Sequence, residues 1–210
     1  MHLRPVSPDV VADELTAIVE RRAATRTRVI IDGAPPTAPA ELADAVATRL
    51  RVLGRPVLRV SAGDFLRPAS LRFERGKQDP DARYDLWLDE GALRREVLVP
   101  LGADGAGRAL PALWDAEVDR ATRAAYVDLP VGGVLLLDGE LLLGRGLPHE
   151  VSAHLWLSPA ALTRRLPAEE HWALPAFTRY DTEVRPLHTA DLAIRVDDPR
   201  HPAMRAEPPS

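Results

Sequence analysis

Two short, uninterrupted apolar runs constrain this chain more than any other feature. Residues 27–32 (TRVIID) are mostly β-branched and end at Gly33, and residues 133–138 (GVLLLD) end at Asp138-Gly139. A strand with one face in water alternates apolar and polar residues. These runs do not alternate, so both of their faces are buried. Three further strands are predicted: residues 56–61 (PVLRVS), VSAHLWL within residues 149–157, and residues 191–196 (DLAIRV). Helical patterns lie between them. Ser7 with Pro8 opens a helix over residues 8–22, in which Val10, Val11, Leu15, Ile18 and Val19 share a face. Residues 40–53 place Leu42, Val46, Leu50 and Leu53 on one stripe, and Gly54 fits as the stop. Residues 93–101, 159–166 and 178–185 also read as helices, and residues 108–119 contain a short hairpin. Strands alternating with helices predict a three-layer α/β fold: a parallel sheet of about five strands with helices on both faces. The expectation is one domain over residues 1–203 and a disordered tail over residues 204–210.

In such sheets ligands sit beyond the carboxyl ends of the strands, so the segments after Asp32, Ser61 and Asp138 are where chemistry is sought. Residues 62–89, polar and irregular, are placed to fold over such a site. Composition removes several alternatives. The 210 residues are 46% apolar and carry 27 basic against 31 acidic side chains, a net charge of −4. That balance gives no electrostatic case for nucleic acid or an anionic membrane. Cysteine is absent, which removes disulfides, thiolate metal sites and cysteine nucleophiles. The six histidines lack metal-ligand spacing, and no G-x-S-x-G elbow is present. The N-terminus lacks the layout of a signal peptide, and no apolar run could span a bilayer, so a cytoplasmic protein is expected. A homo-oligomer stays open.

The segment after the first apolar run has the layout of a phosphate-binding loop between strand and helix. Laid on G-x-x-x-x-G-K-[ST], Gly33 fits the first glycine, Thr37 lies within the loop, and Ala38 takes the second glycine's place. Pro39 stands where the lysine would reach the β/γ-phosphates, and Ala40 where a hydroxyl would hold Mg²⁺. Pro35, Pro36 and Pro39 have no N–H to donate. Lys77, the only lysine, lies outside every loop position. Read alone, the segment is also consistent with an ordinary strand–turn–helix joint.

The order of several segments resembles the uridine kinase family, which belongs with phosphoribulokinase and pantothenate kinase among P-loop kinases. The segments are VIIDG at 29–33, PVLRVSAGDFLRP at 56–68, RGKQDPDARYD at 75–85, LRREVLVPLG at 93–102, VLLLDGELLL at 134–143 and ADLAIRVDDPRHP at 190–202. The resemblance implies a P-loop kinase fold and transfer of the γ-phosphoryl group of ATP, with Mg²⁺, to a hydroxyl of a nucleoside or similar metabolite. It implies an acid after the second strand to orient the acceptor. The family's Asp-Asp-Phe is here Gly63-Asp64-Phe65, leaving Asp64 as the candidate. Asp138 would stand near Mg²⁺ as a Walker-B-like acid. Arg72, Tyr84 and Asp85 fall on the acceptor side. Arg164 and Arg165 open a lid over residues 164–178, short and interrupted by Pro167 and Pro175, and Arg179, Tyr180 and Arg185 follow it. Each position also has a plain structural reading: a cap for Asp64, a strand-end acceptor for Asp138, packing or a solvated face for the rest. Three functions remain: a non-catalytic or impaired nucleotide- or nucleoside-binding descendant, an active ATP-dependent uridine/cytidine-type kinase, and an enzyme using the cleft for other chemistry.

Overall fold

A computed structural model describes residues 3–22 and 24–205. In chain order the elements begin with β1 (Leu3–Pro5), α1 (Pro8–Glu20), β2 (Thr27–Gly33), a 3-10 turn (Pro35–Thr37), α2 (Pro39–Val52) and β3 (Val57–Ser61). Next come a 3-10 turn (Ala62–Phe65), α3 (Ala69–Arg72), α4 (Pro80–Asp85) and α5 (Glu90–Leu93), which runs into a π-helical turn (Arg94–Leu98). Four two-residue strands follow: β4 (Arg108–Ala109), β5 (Trp114–Asp115), β6 (Arg120–Ala121) and β7 (Val127–Asp128). The chain ends with β8 (Val134–Gly139), β9 (Val151–Trp156), α6 (Pro159–Arg165), a 3-10 segment (Ala168–Ala173), α7 (Leu174–Glu183), α8 (Pro186–Thr189), β10 (Leu192–Arg195) and β11 (Ala203–Arg205).

The main sheet runs β1-β11-β10-β9-β2-β8-β3. Its five inner strands, β10, β9, β2, β8 and β3, are mutually parallel. That is the predicted five-stranded core. The sequence reading did not foresee the antiparallel pair β11 and β1 added at the β10 edge. Ala203–Arg205 therefore form a strand where a disordered tail was expected, and Met204 is 2% exposed. Residues 206–210 of that expected tail lie outside the described residues.

The two apolar runs occupy the sheet's centre. Val29, Ile30, Ile31 and Leu135–Leu137 are fully buried, each contributing about 1.5–3 kcal/mol relative to exposure. Neighbouring side chains on a strand point to opposite faces. Asp138 accordingly meets Arg59, which also reaches Asp44 on α2, whereas Asp32 meets Tyr180 on α7. The helix α2 packs on β2, β3 and β8 through Ala43, Val46, Ala47 and Leu50. This corrects the stripe read from the sequence: Leu42 is only partly buried and Leu53 is 56% exposed. Val46 and Leu50 of that stripe are buried as expected, while Ala43 and Ala47 take the places on the sheet expected of Leu42 and Leu53.

Capping side chains set several boundaries. Ser7 accepts the Val10 N–H and Pro8 follows it in α1, as predicted, although the helix stops at Glu20. Asp79 caps α4 and Asp89 caps α5, so the expected irregular stretch 62–89 contains helices. The helix predicted over 93–101 starts at Glu90 instead, and the one predicted over 178–185 starts at Leu174. The predicted hairpin is β5–β6, nested within the β4–β7 pair, and so extends past residue 119. No helix among the described residues is long and apolar enough to cross a membrane.

Candidate functional site

Chain order explains where a site can form. The central strand β2 has β8 and β3 on one side and β9 and β10 on the other. The chain passes from β2 to β3 on the first side, then from β8 across β2 to β9. A crevice opens at the carboxyl end of β2, where these directions part. The loop 33–40 lies there.

Several polar groups of the loop after β2 bond carbonyls within the loop itself. Ala38 has φ 54° and ψ 57°, the left-handed conformation that glycine adopts most easily. The N–H groups of Thr37 and Ala38 donate to the carbonyls of Ala34 and Pro35 at 2.8 and 3.0 Å. The Thr37 hydroxyl donates to the Ala34 carbonyl at 2.7 Å and rests over Gly33. A Cβ on Gly33 would lie 2.4 Å from that hydroxyl oxygen, so the fold requires glycine there. Pro39 is buried in the first turn of α2, Ala40 is exposed, and the Glu41 N–H donates to the Ala38 carbonyl at 3.1 Å. Beside the loop is a cavity of about 520 Å³, with Thr37, Ala38, Glu41, Arg165, Val196 and Pro199 among its walls.

The two candidate acids come together at the neighbouring strand ends. Asp64 lies on the turn after β3, where the Ser61 hydroxyl accepts the Gly63 N–H at 3.2 Å. Burial raises the Asp64 carboxyl above its ordinary value, and the charges of Asp138 and Asp115 add to this. Asp138, 5% exposed at the end of β8, receives a hydrogen bond from Arg59 at 2.5 Å. Burial raises its carboxyl too, and Arg59 opposes the shift. Arg59 bonds Asp44 with its other terminal nitrogen and so ties α2 to the end of β8. The sequence reading missed this partner. The signal for it was an arginine within the strand PVLRVS, but its pairing depends on β3 lying beside β8.

The predicted acceptor-side residues bond partners within the chain at two separate places. Arg72 is 5% exposed, donates to the Arg67 and Ala116 carbonyls at 2.7 and 3.3 Å, and packs on Phe73 and Trp87. Burial lowers its pKa. Tyr84 donates to Glu183 at 3.3 Å, and Asp85 pairs with Arg179 at 3.0 Å. The Arg179 guanidinium also lies 4.2 Å from the Tyr84 ring centre. In the expected lid, Arg165 donates to the Pro36 carbonyl and, at 2.8 Å, to the Val196 carbonyl. Arg164 is exposed, with no hydrogen-bond partner among the described residues.

Two buried clusters gave no sequence signal of their own. Arg83 pairs with Glu140 at 2.9 Å and Glu170 at 2.7 Å, surrounded by Trp87, Trp172 and Phe177. Burial pulls its pKa down, but the two glutamates outweigh that and raise it. Asp32, fully buried, accepts from the Leu142 N–H at 2.8 Å and from Tyr180 at 2.7 Å, and contacts His154 Nδ1 at 2.6 Å. Burial, then Asp32, pushes the Tyr180 hydroxyl well up.

No protein-family model matches the chain, and no curated protein matches it by sequence. Solved structures do. A possible uridine kinase from Bacillus stearothermophilus superposes with a TM-score of 0.72 at 19% identity, covering 88% of this chain and 97% of that one. A candidate fructose transport system kinase from a Silicibacter species gives 0.61 at 21% identity, covering 88% and 95%. At these identities the likeness concerns the fold. It agrees with the mostly parallel sheet and its strand order: the chain has the α/β fold of the uridine kinase-like P-loop kinases.

Proposed function

We propose that this chain is a nucleotide- or nucleoside-binding protein on a kinase fold, impaired in phosphoryl transfer. The observation that carries the reading is the loop's use of its own polar groups. The Thr37 and Ala38 amides and the Thr37 hydroxyl bond carbonyls within the loop, and Arg165 bonds the loop's Pro36 carbonyl. The residues also fit Mg²⁺–ATP poorly. Pro39 offers no ammonium, Ala40 offers no hydroxyl, and Arg59 already neutralises Asp138. Charge-assisted hydrogen bonds contribute about 1.5–3 kcal/mol each, so losing several weakens a phosphate grip by orders of magnitude. The cavity of about 520 Å³ beside the loop has room for a nucleoside-sized ligand.

A second reading, an active kinase, rests on one observation: Asp64 and Asp138 lie together, with the Asp64 carboxyl raised toward the range useful for a general base. Thermal-shift titration with uridine, cytidine and Mg²⁺–ATP, run beside an assay for phosphorylated nucleoside, separates the two. Nucleoside stabilisation without product supports the binding protein. Product formation that Asp64→Asn abolishes would overturn it.

A further inference from the structure

The underside of α7 holds a small cavity, bordered by the start of the loop at Gly33 and Ala34, that the acid pair does not reach. It has a volume of about 30 Å³. A single water-sized group needs roughly 10–15 Å³. His154, Trp156, Phe177, Tyr180 and Asp181 are among its walls, and it shares only Leu155 with the cavity beside the loop. His154 is 4% exposed. Its Nδ1 faces Asp32, whose carboxylate already accepts from Tyr180 and the Leu142 N–H. A carboxylate only accepts, so Nδ1 carries a proton, and in the neutral ring Nε2 then presents a lone pair. That Nε2 is buried without a hydrogen-bond partner among the described residues. Native structures rarely leave such an atom unsatisfied.

The walls narrow down what could fill the cavity. Asp32 and Asp181 contribute carboxyl groups and no arginine or lysine lines the space, which disfavours an anion. Trp156, Phe177 and Tyr180 supply apolar ring surface. A groove of about 440 Å³ adjoins the cavity through Trp156 and Asp181 and continues past Thr182 and Arg185 to His188. An acceptor in a one-group pocket, beside a tryptophan and a carboxyl, suits a hydroxylated carbon skeleton.

We propose that the cavity and its groove bind a small neutral polyol or sugar, one hydroxyl of which enters the cavity and donates to His154 Nε2. The ligand body lies in the groove against Trp156. This site is distinct from the larger cavity beside the loop, with which it shares Leu155, and does not rest on the reading proposed for that cavity.

The test is a titration of the unaltered, ¹⁵N-labelled chain with D-ribose and with glycerol, following the His154 ring nitrogens by NMR. The expected result is a saturable shift at Nε2 with little change at Nδ1. Calorimetry should show about ten-fold or greater loss of ribose affinity in His154→Phe, the size of one lost buried hydrogen bond. An Nε2 resonance unmoved by either polyol would mean the cavity holds only water and would overturn the proposal. A shift with ethylamine but not with the polyols would overturn it in favour of an ammonium site. The first measurement needs no variant, so a His154→Phe chain that fails to fold leaves the test intact.

Discussion

Ala38 carries the loop after β2 through a left-handed backbone turn. Its left-handed backbone costs an L-residue about 1–2 kcal/mol, part of which glycine relieves. Ala38→Gly should therefore raise stability by up to about 1 kcal/mol, read from the urea midpoint, whereas a β-branched residue should lower it. Asp32 makes the opposite case. It sits fully buried under three contacts, so Asp32→Asn should cost about 3 kcal/mol or more by leaving His154 or Tyr180 mismatched. Tyr180→Phe should cost less, and the double variant less than the sum, because the two share one network. Asp64 carries a pH dependence. Burial, with Asp138 and Asp115 adding to it, raises its carboxyl above the ordinary 3.8, so the folded chain holds this proton more tightly than the unfolded one. That contribution to stability is complete below pH 3.8 and is lost as pH rises through the folded value. Asp64→Asn should therefore melt higher than the parent at neutral pH, with the advantage vanishing in acid. Equal melting differences at both pH values would count against a raised Asp64.

At the scale of elements, the sequence was readable where one local signal dominated. Continuous apolar runs gave β2 and β8, and Ser7-Pro8 gave the start of α1, because burial on both faces and capping act within a few residues. The face of α2 was misread because leucine was weighed above alanine. Close packing on the sheet favours the small side chains of Ala43 and Ala47 and leaves Leu53 exposed. The strand β11 was missed for a different reason. Its pairing with β10 and β1 depends on the two ends of the chain meeting, and no local pattern reports that. The packing of Met204 makes the edge testable: Met204→Ala should cost about 2–5 kcal/mol although only six residues follow it in the sequence.

For the whole molecule, the fold was legible because the order of five strand segments and a loop survives wide sequence change. The site was less so. Arg59 and Asp138 are 79 residues apart, and Asp32 and Tyr180 are 148 apart, so only the sheet order brings each pair together. What the sequence did show was Pro39 and Ala40 at positions where a phosphate loop would carry lysine and a hydroxyl. The structure adds that the Thr37 and Ala38 amides and the Thr37 hydroxyl bond carbonyls within the loop. On the proposed function this loop does not grip phosphate. Calorimetric titration of the full chain with adenosine and with ATP, both in Mg²⁺, tests it most directly. ATP should bind no more tightly than adenosine, the triphosphate adding nothing. An ATP affinity about a hundred-fold or more above that of adenosine would contradict it, since that corresponds to about 2.8 kcal/mol of phosphate binding.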